Sequence, residues 1–394
     1  MFLLYLTKPL IGVIILTEDV VILRNDYLGS ILSKSERAVF DMRLLYEGFG
    51  YRKYKMKKFE EYDLYLQNKS FLKGGSIITF TDFDGRLLAL KPDVTLSIAK
   101  NLPQSDDAQK VYYTENVYRE SASGGEYKEI MQAGLEYIGE LDSYAMAEVL
   151  LLALKSLELM GDNYVLDVSH MGIINGLLSE LPEDKSELSE KLVGRISRKD
   201  SGGVRELCAQ NNLSGEFTEG LAILASAYGD FEKTLEGINK IAKNDEVYMA
   251  SEELSRLYEI LKECGVSQGI RLDFSVVNDL SYYNGIIFRG FLKGVPGAVL
   301  SGGRYDRLLH KLGKKGNAAG FAVYLDLLEK YLSADKDTDA DILLLYDENT
   351  NPAQLMRETL RLSEKGFRVR AQKNENTKVK SGETIRFSGG KENA

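Results

Sequence analysis

Apolar residues recur at two periods along this chain, and the changes of period mark its parts. From Ser35 to Glu47 the apolar positions Val39, Met42, Leu45 and Tyr46 repeat at helical spacing, and Gly48 and Gly50 close the run. That pattern predicts a long first helix. Ile78–Lys100 holds two short β-rich runs around Asp84-Gly85, a turn pair that predicts a hairpin. Val111–Glu120 and Glu129–Gly139 read as a second hairpin, joined by the Ser- and Gly-rich stretch Ser121–Glu126. Period-two alternation in its second strand puts Gln132 and Glu136 on one face. From Gly172 to about Gly265 the period turns helical. Ile174, Leu177, Leu178 and Leu181 make one apolar stripe, and Leu254, Leu257, Tyr258, Leu261 and Cys264 make another that stops at Gly265. Strands are expected again at Ile270–Phe274, Gly285–Phe291 and Ala298–Leu300.

After Leu332 the acidic stretch SADKDTDAD reads as a linker. ILLLYD, a helix from Pro352 to Lys365 with Asn351 as its N-cap, and FRVRAQ then make one βαβ unit, followed by the charged stretch Lys373–Ala394. The opening FLLYLTKPLIGVIIL is apolar, but Lys8 and Pro9 interrupt it and it is too short to span a bilayer. It also lacks the leading positive charge and the small-residue cleavage site of a signal peptide. No membrane association is expected.

At 394 residues the chain has room for two or three domains, and 44% apolar with 28% charged residues is an ordinary globular composition. Its net charge of −9 opposes binding to a phosphate polyanion, which calls for a concentrated basic surface. Cys208 and Cys264 have neither metal-ligand nor disulfide spacing, so a reduced cytoplasmic setting is expected, with no metal. There is no phosphate-binding P-loop or dinucleotide fingerprint, and no cofactor is expected. His170 and His310 are the only histidines, and both are read as structural or surface residues.

Several segments carry a resemblance. VYYTENVYRE, SASGGE and YKEIMQAGLEYIG, from Val111 to Gly139, resemble the strand–loop–strand motif 2 of a class II aminoacyl-tRNA synthetase. GGRYD at Gly302–Asp306 and AAGFAVYLDLLEKY at Ala318–Tyr331 resemble the motif 3 region of histidyl-tRNA synthetases. YKMKKFEEYDLYLQ is similar to motif 1, with Glu60 matching and Lys57 in place of the usual proline. The resemblance implies an α+β fold: a class II synthetase-like antiparallel sheet core flanked by helices, with a helical insertion and a small C-terminal α/β unit. The boundaries it suggests are an N-terminal extension at 1–32, a core at 33–171 and 266–332, and an insertion at 172–265. A linker at 333–339 and a shortened C-terminal unit with its tail at 340–394 complete the division.

The departures from the family are chemical. Of the arginines that the family aims at ATP, only Arg119 is kept. The second motif 2 arginine is Glu126, the arginine before the paired tyrosines of NDLSYYNG is Asn278, and the Gly-Leu-Glu-Arg that ends motif 3 is Tyr324, Leu325, Asp326, Leu327. Activation of an amino acid brings a carboxylate to the α-phosphate of ATP, and fixed cations must hold the developing charge. Guanidinium suits that task because it is always charged and offers a planar fork of donors.

The residues that would recognise free histidine are better kept. By resemblance, Asp93, Thr95 and Gln132 match the positions that hold an α-amino group. Glu136 and Tyr283 match those that contact an imidazole, with Tyr305 on the same side and Tyr282 and Arg119 nearby. These serve as an effector site or as a vestige, and no catalytic residue is proposed. A synthetase shell with a histidine pocket and broken ATP arginines resembles the regulatory subunits of ATP phosphoribosyltransferase. That resemblance implies a non-catalytic partner of the short-form catalytic subunit in the first step of histidine biosynthesis, with histidine as effector and self-association through the motif 1 region. An active histidyl-tRNA synthetase and a stand-alone histidine-sensing paralogue are the alternatives.

Overall fold

The structure is a computed structural model that describes residues 32–69, 72, 76–121, 125–181, 185–241, 244–277, 283–332, 338–373 and 378–387. The apolar N-terminal run, Asn278 and Tyr282 lie outside the described residues. The chain divides into two compact units, of which the larger is Ser33–Leu332.

In the larger unit α1 (Lys34–Gly48) is followed by β1 (Arg52–Lys53), β2 (Phe59–Glu61), α2 (Tyr62–Gln67), β3 (Thr79–Thr81), β4 (Leu87–Leu90) and α3 (Val94–Asn101). Two long strands come next, β5 (Gln109–Glu120) and β6 (Tyr127–Gly139), then α4 (Ser143–Met160) and β7 (Tyr164–His170). A helical segment holds α5 (Met171–Leu178), α6 (Ser186–Ile196), α7 (Ser201–Gln210), α8 (Gly215–Ser226), the short β8 (Tyr228–Asp230), α9 (Phe231–Asn239) and α10 (Asp245–Glu263). The unit closes with β9 (Ile270–Asp273), β10 (Ile286–Leu292), β11 (Leu300–Arg304), α11 (Asp306–Lys311), β12 (Asn317–Tyr324) and α12 (Leu325–Leu332).

Local signals set these elements. Ser33 and Glu36 form a reciprocal capping box at the start of α1, which buries Val39, Met42 and Tyr46, and Gly50 past its end takes a φ of 81°. Nine strands form one sheet in the order β1-β5-β6-β12-β11-β10-β7-β9-β8. Its pairings are antiparallel except β1 with β5 and β7 with β9. The α+β class and the antiparallel core expected from the resemblance are what the structure has. A smaller sheet, β2-β4-β3, stands beside it.

Four local expectations need correction. The Ile78–Lys100 stretch is a hairpin only as far as Leu90; its second half is α3, because the Asp93 side chain accepts from Leu96 N at 2.8 Å and caps a helix there. The strand expected at Ala298–Leu300 runs instead from Leu300 to Arg304 and includes Gly302 and Gly303. Glycines weaken a strand in isolation and are read as a turn, but here β10 and β12 pair with them on both sides. The adjacent tyrosines Tyr282 and Tyr283 are expected in a strand from their sequence, but Tyr283 precedes β10. The charged stretch after Lys373 contains β15 (Ser381–Arg386), which no hydrophobic alternation announces.

The described part of the second unit contains β13 (Ala340–Leu345), α13 (Pro352–Glu364), β14 (Val369–Gln372) and β15. Its three strands are parallel in the order β14-β13-β15. Asn351 caps α13, whose Leu355 and Leu362 pack on Ile342 and Leu344. Among the described residues no helix is long and apolar enough to cross a membrane.

Candidate functional site

The register of the large sheet creates a floor without side chains. Glu136 on β6 stands opposite Gly320 on β12, and Gly320 opposite Gly303 on β11; two residues away along β6, on the same face, Gly134 faces Tyr113 on β5. Each glycine leaves room that a neighbour fills. A Cβ on Gly320 would overlap the Glu136 carboxylate, and one on Gly303 would come within 2.7 Å of the Tyr283 ring. One on Gly134 would come within 2.7 Å of the Tyr113 hydroxyl. Glu136 and Tyr283, far apart in sequence, are therefore brought over adjacent glycines of one sheet face.

Glu136 is the centre of this face. It is 2% exposed, and its two oxygens accept from Thr95 Oγ1 at 2.7 Å and from Tyr305 Oη at 2.5 Å. Burial is the largest influence on its acidity and pushes the carboxyl up to about 8, the nearby Asp93 charge adding to the rise while the two hydroxyl donors oppose it. Near neutral pH the site thus holds a carboxyl that is mostly protonated. Tyr283 and Tyr113 are buried on the same face, and desolvation, reinforced by Glu136 and Asp93, raises both phenols well above their ordinary value. Gln132 is also buried, in register with Tyr324.

The first turn of α3 supplies the opposite wall. Asp93 caps the helix with one oxygen and pairs with Arg119 Nη2 through the other at 3.4 Å, and Thr95, two residues on, reaches Glu136. Arg119 Nε also donates to the Pro92 carbonyl at 2.6 Å, so the one retained motif 2 arginine is fixed against this turn. A carboxylate and a guanidinium side by side offer complementary charges to an amino-acid zwitterion, and Glu136 offers acceptors to a ring N–H.

The positions that depart from the family look different. Glu126 is exposed at the end of the β5–β6 connection, and Leu327 is half-buried on α12 against the core. Neither is a cation. Sequence reasoning had not singled out Tyr113 or Arg289, and had placed Tyr324 only at the end of motif 3; all three are on the pocket face of the sheet by register. Tyr324 Oη lies 2.7 Å from Ser301 Oγ, and Arg289 Nη2 donates to the Val277 carbonyl at 3.2 Å. Alternation along IIFRGFL would have put Arg289 on one face, but not told which face held the pocket. Among the described residues no group of acidic, histidine and cysteine side chains could hold a metal ion.

This sheet, with a helix-capped turn closing over a glycine floor, is the core of a class II aminoacyl-tRNA synthetase of the histidyl type, and the sequence model of the histidyl-tRNA synthetase family matches residues 25–328. The ATP phosphoribosyltransferase regulatory subunit of Clostridium kluyveri is 32% identical over 339 residues, 83% of this chain and 86% of its own length. The chain belongs to this histidyl-tRNA synthetase-like family of ATP phosphoribosyltransferase regulatory subunits. Solved structures agree on the fold. A Bacillus halodurans ATP phosphoribosyltransferase regulatory subunit/histidyl-tRNA synthetase superposes with a TM-score of 0.73 at 24% identity, covering 90% of this chain and 93% of that one. A chain of the ATP phosphoribosyl transferase complex from Thermotoga maritima superposes with a TM-score of 0.58 at 20% identity, covering 74% and 97%.

Proposed function

We propose that this chain is the non-catalytic regulatory subunit of a short-form ATP phosphoribosyltransferase, that it is required for the first step of histidine biosynthesis, and that it carries histidine feedback to the catalytic subunit in the cytoplasm. The observation that carries this reading is the split character of the synthetase site. The side that would meet an amino acid is built and buried around Glu136, while the positions that should meet the triphosphate hold Glu126 and Leu327. A carboxylate about 4 Å from a phosphate oxygen opposes it by about 4 kcal/mol at an effective dielectric near 20. An ATP-activating site would not place one there.

In this reading histidine is the effector, and the side chains around Glu136 supply its partners. Its imidazole N–H pairs with Glu136 beneath Tyr283, and its ammonium and carboxylate lie against Asp93 and Arg119. The names of the relatives and the complex from which the Thermotoga maritima chain comes support a catalytic phosphoribosyltransferase as partner. Self-association is assigned to the motif 1 region around Phe59–Glu61 and α2, and nucleic acid is assigned no role.

The purified chain is expected to show no histidine-dependent exchange of pyrophosphate into ATP, while isothermal titration detects histidine binding. Exchange at the rate of an ordinary synthetase would make it an enzyme and overturn the regulatory reading. Restoring arginine at Glu126 and Leu327 singly should recover little, because the groups of a phosphate clamp act as a unit.

A further inference from the structure

Helix α10 belongs to the helical segment outside the pocket, yet one of its side chains reaches the pocket's frame. Glu253 Oε2 lies 3.0 Å from His170 Nε2, and its Oε1 lies 3.8 Å from Arg304 Nη1. His170 ends β7 and caps α5, its Nδ1 accepting from Gly172 N at 2.9 Å. A ring nitrogen that accepts a backbone N–H carries no proton, so Nε2 holds the proton and donates it to Glu253.

Arg304 is followed directly by the two residues that fix the site. Its Nε donates to Asp306 Oδ2 at 2.8 Å, and its stem passes Gly285, where a Cβ would stand 2.9 Å from Arg304 Cδ. Asp306 is buried and also accepts from Asn284 Nδ2, Asn317 Nδ2 and Ala318 N at 2.9–3.0 Å. Between them stands Tyr305, whose N donates to the Ala318 carbonyl at 2.8 Å and whose hydroxyl donates to Glu136. The Asp306 side of this tripeptide is saturated with short bonds. Arg304 Nε shares in those bonds, but its Nη1 end does not: 3.8 Å from Glu253 Oε1 is about 1 Å longer than a formed charge-assisted bond to a carboxylate, so this contact has room to close or to part.

We propose that Glu253 is a positioning residue that couples occupancy of the Glu136 pocket to helix α10, with the Arg304 guanidinium as the moving part. A ligand N–H arriving at Glu136 competes with the Tyr305 hydroxyl for the same carboxylate. The Tyr305 backbone is pinned to Ala318, as is the Asp306 carboxylate, so its adjustment is taken up at the Nη1 end of Arg304, which closes on Glu253 and tightens α10 against β11. The inference rests on the reading of the pocket as a histidine site and adds the route by which its occupancy leaves it. A coupled equilibrium requires such an element with two arrangements that the ligand distinguishes.

The test follows amide hydrogen exchange of the full chain with and without saturating L-histidine, beside calorimetric titration of the same samples. Histidine should slow exchange in 245–263 severalfold in the wild type. In Glu253→Gln, which keeps the shape and removes the charge that Arg304 seeks, histidine should bind within about twofold of wild-type affinity while that slowing disappears. His170→Asn, which preserves a helix cap, should bind histidine normally and show an intermediate slowing, and it serves if the Gln variant does not fold. Undiminished slowing of α10 in both variants, or none in the wild type at saturation, overturns the coupling while leaving the pocket reading intact. Absence of any calorimetric binding in the wild type overturns the pocket reading and the coupling with it.

Discussion

Glu136 sets two dependences on pH whose signs follow from its raised acidity constant. In the unfolded chain its carboxyl titrates near 4.5, whereas in the fold burial holds it at about 8. Between those limits the native state binds the extra proton, so stability falls as pH rises from about 4.5 to about 8 and is level above. The difference in stability between wild type and Glu136→Gln, measured by urea unfolding from pH 4 to 9, should follow that curve; a difference independent of pH would contradict it. Histidine binding has a second signature. The proposed complex holds one proton shared between imidazole and carboxyl, so affinity should be level between about 6.5, where free imidazole titrates, and about 8, and should fall on both sides. Calorimetry across pH 5–9 checks this, and Glu136→Gln should lose the upper limb.

Asp93, Thr95, Gln132, Glu136, Tyr283 and Tyr305 stand out in the sequence because they keep family order, although each alone reads as an ordinary core or surface residue; that they form a histidine pocket is the proposal. The structure brings Thr95 and Tyr305 onto Glu136 directly. The pairing of Asp93 with Arg119 was not legible, since it depends on a cap that was read as part of a strand.

At the scale of elements, the glycine floor is the least replaceable feature. Gly320→Ala would put a methyl group into the space of the Glu136 carboxylate, and Gly303→Ala would press on the Tyr283 ring. Each is expected to cost about 1–3 kcal/mol of stability through overpacking, and Gly320→Ala should also weaken histidine binding by tenfold or more. Alanine at Gly237, where no atom stands within 4 Å of the added methyl, is the control. Thermal unfolding and titration of the three variants check the contrast, and equal effects at all three positions would contradict the role given to the floor. Asp93→Ala removes the α3 cap and Arg119's partner together. It should cost about 1 kcal/mol of helix-end stability and a larger share of histidine affinity.

Elements with a strong period, such as α1 and α10, were legible because one face of each buries apolar residues at helical spacing. α4, buried nearly all round, offers no such contrast, and the Gly302–Gly303 strand is held by its neighbours rather than by its own propensity. In the second unit β15 pairs with β13 although its own pattern is mostly polar and exposed.

For the whole molecule, the proposal is that the synthetase-like core outlasts its chemistry: a large sheet and a buried polar cluster around Glu136 remain, while Glu126 and Leu327 stand at positions read as ATP-facing. Under the proposed function this site speaks to another active site, and a coupling of about 1–3 kcal/mol between the two is the usual size. Reconstitution with a short-form ATP phosphoribosyltransferase tests this most directly, with the condensation of ATP and phosphoribosyl pyrophosphate followed as histidine is added. The chain should join the catalytic subunit in one large complex, raise its rate, and make it sensitive to histidine. Glu136→Ala or Tyr283→Phe, each removing a polar partner of a bound imidazole at about 1–3 kcal/mol, should move the inhibition midpoint about tenfold or more and leave the uninhibited rate in place. Separate elution of the two proteins with unchanged rates on mixing, or inhibition curves identical in wild type and both variants, would contradict the account.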